Sequence, residues 1–123
     1  MYMKIFGSAL VLFIFTGNII PGFASAPAEI CTASWYGADF HGKPMANGRK
    51  FDMNDKMTVA HKKLKFGTKV RITNLKNGKE IISVVRDRGP FVNGRCVDLS
   101  RAGAKKLGFE KRGHTRVKVE VIS

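Results

Sequence analysis

Residues 69–85 have few ways to satisfy their backbone other than as a pair of strands. Val70, Ile72 and the Thr73-Leu75 step are interleaved with Lys69, Arg71 and Asn74, close to a period of two. Asn77-Gly78 is a hairpin signal, because tight hairpin turns need residues that tolerate positive φ. Glu80 to Val85 returns as the partner strand, with Ile81, Ile82, Val84 and Val85 as its apolar residues. A lone hairpin is marginal in water, so other elements must cover this one.

The remaining signals are mostly strand as well. Cys31 to Tyr36 carries Ala33, Trp35 and Tyr36 before Gly37, and Val117, Val119 and Val121 alternate with Lys118 and Glu120. One helix is expected: Ser100 caps it, Ala102, Ala104, Lys105, Lys106 and Leu107 fill it, and Gly108 ends it. Gly42 to Phe66 reads as irregular and loop-rich. Short strands with one helix predict a mainly β chain closed into a small barrel, which removes exposed strand edges.

The first 28 residues read as an export address. Lys4 is their one basic residue, an apolar stretch runs from Ile5 to Ile20, and Pro21-Gly22 precedes Ala24-Ser25-Ala26-Pro27-Ala28. That order is the pattern of a signal peptide cut within residues 24–28. The apolar stretch is interrupted and short for a stable span, so no membrane span is expected after processing. Ile30 stands where a lipidation signal at Cys31 would need a small residue. Residues 29–123 then form one exported domain in the periplasm, the cell envelope or the medium, expected as a monomer.

Charge narrows the partners. The whole chain carries +13, and losing residues 1–28 removes only Lys4, leaving +12. The basic residues, Lys62, Lys63, Lys65, Lys69, Lys105 and Lys106 among them, are scattered and form no aromatic-interleaved stripe, which argues against nucleic acid. An anionic cell envelope fits an exported basic domain better. Cys31 and Cys96 are an even count in an oxidising compartment, and a disulfide between them would close a loop of roughly 65 residues. Two buried free thiols are the other reading. Neither Cys has a His or Cys neighbour at metal-ligand spacing, so no metal and no cofactor is expected.

Chemistry concentrates at Arg86-Asp87-Arg88-Gly89-Pro90-Phe91. A carboxylate at the mouth of a strand, before a Gly-Pro turn and between two guanidinium groups, is a candidate catalytic group. In isolation the same string reads better as a surface ion cluster with a turn-starting Asp, and it is the rest of the chain that favours chemistry. An acid catalyst wants a raised pKa, which a close cation opposes. Arg86 and Arg88 should point to opposite sides of the strand, so at most one lies close.

Ala33-Ser34-Trp35-Tyr36-Gly37, Phe40-His41-Gly42, Ala46-Asn47-Gly48, Phe51-Asp52-Met53, Ala60-His61, Val70-Arg71-Ile72-Thr73-Asn74-Leu75, Asn77-Gly78, Asp87-Arg88-Gly89-Pro90-Phe91 and Val97-Asp98-Leu99-Ser100 stand in the order seen in rare lipoprotein A. The chain resembles this RlpA-like family of bacterial septal proteins over about Thr32 to Val121. The resemblance implies a six-stranded double-psi β-barrel related in shape to expansins, with peptidoglycan glycan strands as partner. Some members resemble lytic transglycosylases, which cleave the bond from N-acetylmuramic acid to N-acetylglucosamine. The sugar's own C6 hydroxyl attacks, giving a 1,6-anhydro end, and one carboxyl group can serve as acid and then base.

In catalytic members the functional set resembles a Glu after Ala-Asn-Gly, a His after the following Ala, and the Asp of Asp-Arg-Gly-Pro. The last two match His61 and Asp87, with His61 as an orienting partner or proton relay. The first does not match: Arg49 follows Ala46-Asn47-Gly48, and a guanidinium has no useful proton to give. Two readings therefore stand, a lytic transglycosylase and a non-catalytic glycan-binding or wall-loosening module of expansin type. Trp35, Tyr36, Phe40 and Phe91 are candidates for a platform under sugar rings, with Trp35 and Phe91 equally readable as core. Asn47, Arg49 and Arg88 are candidate substrate contacts. Asp98, just before Leu99-Ser100, reads as an anchor for the start of the helix.

Overall fold

Apolar residues at alternate positions close six strands around one core in the computed structural model, which describes residues 28–123. The strands are β1 (Glu29–Tyr36), β2 (Thr58–His61), β3 (Lys69–Asn74), β4 (Glu80–Asp87), β5 (Arg95–Ser100) and β6 (His114–Val121), and helix α1 (Arg101–Leu107) joins β5 to β6. They close in the order β1-β5-β2-β4-β3-β6. β1 is parallel to β5 and β2 to β4, while the other four pairings are antiparallel. The fold is the six-stranded double-psi β-barrel, mainly β with one short helix. The signal peptide expected over residues 1–28 lies, apart from Ala28, outside the described residues.

The hairpin forms as its sequence asks, with Thr73 opposite Glu80 and Gly78 at φ 77° in the connecting turn. One parity differs from the expected pattern. Asn74 is buried beside Val70 and Ile72, and Leu75 is exposed. Burying an amide costs free energy unless every polar atom is paired, and here each is. Its Nδ2 donates to the Leu107 carbonyl at 2.8 Å, and its Oδ1 accepts from Thr115 Oγ1 at 2.9 Å and from Lys76 N at 3.0 Å. One side chain thus ties hairpin, helix end and β6 together.

Helix α1 is built as its caps predict. Ser100 Oγ accepts from Gly103 N at 3.1 Å, and Gly108 ends the helix at φ 80°. Ala104 and Leu107 point into the barrel with Phe109. The stretch read as irregular contains β2, four buried residues between β4 and β5. Cys31 on β1 and Cys96 on β5 have Cα atoms 5.8 Å apart and are joined by a disulfide.

Candidate functional site

β2 carries the register that assembles the site. Ala60 stands opposite Asp87 of β4 on one side and opposite Asp98 of β5 on the other. Val59, Val97 and Leu99 fill the core, so by alternation Ala60 and Asp98 face outward. Asp87 and Asp98 line one groove of about 280 Å³, with Ala60 as its floor. Phe40, Phe91 and Val92 are exposed on its rim, and Arg88 and Arg95 contribute cations.

Asp87 is held as an acceptor from three directions. Its Oδ1 takes hydrogen bonds from Ala46 N and Arg88 N, both at 2.8 Å, and its Oδ2 accepts from the Tyr36 hydroxyl at 3.2 Å. The Ala46-Asn47-Gly48 loop therefore packs against Asp87 through its backbone. Tyr36 is itself fixed by stacking on Phe51, ring centroids 4.2 Å apart, and by an edge contact with Phe40. Burial first, then the neighbouring Asp87 charge, raises the Tyr36 hydroxyl well above its ordinary pKa. It stays a donor at every physiological pH.

Neither flanking arginine pairs with Asp87. Arg86 Nη1 donates to Asp55 Oδ2 at 2.8 Å and to Thr58 Oγ1 at 2.9 Å. Arg88 Nη1 donates to the carbonyls of Leu64 at 2.9 Å and His61 at 3.3 Å, and its guanidinium lies over the Phe66 ring at 4.1 Å. Both groups are thereby drawn off the carboxylate.

Asp98 is the second carboxylate of the groove, and its role was not legible from the residues before the helix. Burial raises its pKa above the usual carboxylate value, and Asp87 adds to the rise. The hydrogen bond from Ser34 Oγ and the charge of Arg95 oppose it. The missed signal was the apolar alternation of Val97 and Leu99, which turns the residue between them outward. A carboxyl that resists ionisation beside one held as an acceptor is a pair suited to acid catalysis.

His61 lies elsewhere. Its Nδ1 accepts from Lys63 N at 3.1 Å and Leu64 N at 3.2 Å, and its Nε2 faces Glu29 Oε1 at 3.1 Å. It follows Ala60 on β2, so its side chain takes the other face of the strand. It is buried, and both ring nitrogens are engaged away from Asp87. Trp35 packs on the core with its Nε1 donating to the Glu110 carbonyl at 3.0 Å, whereas Phe91 is 80% exposed. Asn47 Oδ1 accepts from Arg49 N at 3.0 Å, closing the turn. Arg49 is exposed and lines a separate depression with Asp52, Asp55 and Arg86. Among the described residues no helix is long and apolar enough to cross a membrane.

Comparison with known proteins agrees with this architecture. Similar solved structures include a Streptomyces papain inhibitor (TM-score 0.66, 22% identity, 85% of this chain and 100% of that one). A Clavibacter michiganensis expansin in complex with cellohexaose also matches (TM-score 0.60, 18% identity, 79% of this chain and 51% of that one). These distant likenesses concern the fold alone. Sequence relatives are much nearer. The endolytic peptidoglycan transglycosylase RlpA of Pseudomonas aeruginosa is 54% identical over 99 residues, 80% of this chain and 29% of that protein. The protein of the same name from Neisseria meningitidis is 51% identical over 90 residues, 73% of this chain and 37% of that protein. The chain thus spans about a third of the length of the curated relatives it matches. A family model described as lytic transglycolase matches residues 29–119. The chain belongs to the lytic transglycolase family.

Proposed function

We propose that this domain is exported to the cell envelope and cuts the glycan strands of peptidoglycan without water as nucleophile. The observation that carries the reading is the groove itself: two carboxylates in register around Ala60, one raised by burial and one held by three donors. Asp98, whose acid form burial favours, gives its proton to the leaving glycosidic oxygen. The bond from muramyl C1 to that oxygen breaks, and the anionic Asp87 stabilises the positive charge that develops at C1. The sugar's C6 hydroxyl attacks C1, and its proton goes to Asp98, leaving a 1,6-anhydro end. Phe40 and Phe91 supply faces for sugar C–H groups at the rim. The names of the near relatives support glycan as substrate.

The test is release of soluble fragments from purified sacculi by the domain, compared with Asp98→Asn and Asp87→Asn. Both variants should lose at least about a hundredfold, the range expected for removing an acid–base group. Fragment release unchanged by Asp98→Asn would refute the assignment. A binding module without cleavage is the second reading, favoured by Arg49 where catalytic relatives resemble a Glu. Under that reading wild-type protein releases nothing and Arg49→Glu gains activity. Under the first, position 49 lies outside the groove and wild-type protein is already active.

A further inference from the structure

The row of residues that forms the groove does not stop at Asp98. Asp98 pairs with Ser34 of β1, and Ser34 pairs with His114 of β6. Asp87, Ala60, Asp98, Ser34 and His114 therefore form one line across five adjacent strands. At about 4.8 Å per strand, His114 Cα lies roughly 10 Å beyond Asp98. There the surface opens into a second cavity of about 460 Å³, next to Thr32 and Arg116, which are themselves paired across β1 and β6.

This cavity is cationic. Its cations are Lys76 from the β3–β4 hairpin, Arg112 from the connection after α1 and Arg116 from β6; His114 of β6 lines it too, and no carboxylate does. All four are exposed. Among the described residues none of the four side chains makes a salt bridge or donates a hydrogen bond. Arg71, Arg86 and Arg101, by contrast, each pair with an acidic side chain. Exposed Leu75 adds an apolar wall. Unpaired cations in a concavity, in line with a groove for a polymer, fit an anionic group on that same polymer.

We propose that the cavity is a subsite for the muramyl carboxylates of a glycan strand whose other sugars lie over Asp87 and Asp98. Each muramic acid bears a lactyl ether ending in a carboxyl group, free or extended by an acidic peptide, so a strand crossing the groove presents such a group beyond the cleavage point. The subsite rests on the reading of the groove as a glycan-cleaving site and sets which way the strand lies. Its cations hold the strand; they take no part in bond breaking.

Binding of soluble glycan strands with free lactyl carboxyls is measured against the same strands after methylamidation, using wild type, Lys76→Gln/Arg112→Gln/Arg116→Gln, and a control lacking three charges that line neither concavity, Lys62→Gln/Lys65→Gln/Lys106→Gln. The first variant should bind acidic strands about tenfold more weakly, since three exposed ion contacts are lost, and amidated strands as wild type does. The control should match wild type on both. Equal losses in the two variants, or acidic and amidated strands bound alike by wild type, would overturn the subsite. Charge-selective binding without fragment release would overturn the cleavage reading alone, and release without charge selectivity would overturn the subsite alone.

Discussion

Asp87 and Asp98 stand on opposite sides of Ala60, each one strand away from it, and share one groove. Two interstrand spacings put their Cα atoms about 10 Å apart, close enough for side chains to act on one sugar. Each carboxylate also has a private environment: Ser34 and Arg95 at Asp98, Tyr36 and two backbone amides at Asp87. Unequal environments separate the acid from the anion.

Asp98 ties activity against stability. Burial raises its pKa in the folded chain, so the folded state holds this proton more tightly than the unfolded state does. Its contribution is most favourable below the unfolded carboxylate value and is lost as pH rises from there through the raised folded one. Asp98→Asn should accordingly raise Tm at neutral pH, and that gain should vanish in acid. Differential scanning calorimetry from acid to neutral pH checks it; a lower Tm at neutral pH with no pH dependence would contradict it.

Tyr36→Phe keeps the stacking on Phe51 and removes one donor from Asp87. A hydrogen bond to a charged group is worth about 1.5–3 kcal/mol. If the Asp87 anion stabilises the transition state, the rate should fall about ten- to a hundredfold, and Tm should fall by several degrees because the same bond also holds the fold. Steady-state fragment release and thermal melting measure the two quantities on the same preparation.

His61 separates positioning from proton relay. His61→Ala leaves the Lys63 and Leu64 amides without their acceptor, which should cost about 1–3 kcal/mol of stability. The same turn offers the carbonyls that seat Arg88, so groove affinity should drop too. The pH profile of kcat should keep its shape, because the ring makes no bond to Asp87. Loss of one limb of that profile would instead show that His61 carries a proton.

Cys31 and Cys96 join the two parallel strands β1 and β5 at a sequence separation of 65. The chain-entropy estimate for a loop of that size is roughly 4 kcal/mol. Reduction, or Cys31→Ser with Cys96→Ser, should lower Tm by well over about 10 °C in a domain this small. Melting with and without reductant decides it.

What could be read from residues alone followed physical periodicity. The hairpin, β1, β6 and α1 were legible because alternation, Asn77-Gly78, Ser100 and Gly108 are local signals. β2 was not, since Thr58–His61 is four residues long and buried throughout, leaving no polar alternation to detect. Asn74 was assigned to the polar side because its burial depends on Leu107 and Thr115, far along the chain. The site divided the same way. Asp87 stood out through its turn, while Asp98 became visible only when β2 brought both carboxylates beside Ala60. His61, adjacent to Ala60 in sequence, was turned away by strand alternation.

The most direct measurement is digestion of purified glycan strands in heavy-oxygen water, with mass analysis of the new ends. Attack by the C6 hydroxyl yields 1,6-anhydro ends with no heavy oxygen at the cleaved C1, absent from the Asp98→Asn digest. Heavy oxygen at C1, or no new ends from wild-type protein, would contradict a water-free cleavage by the Asp87–Asp98 groove.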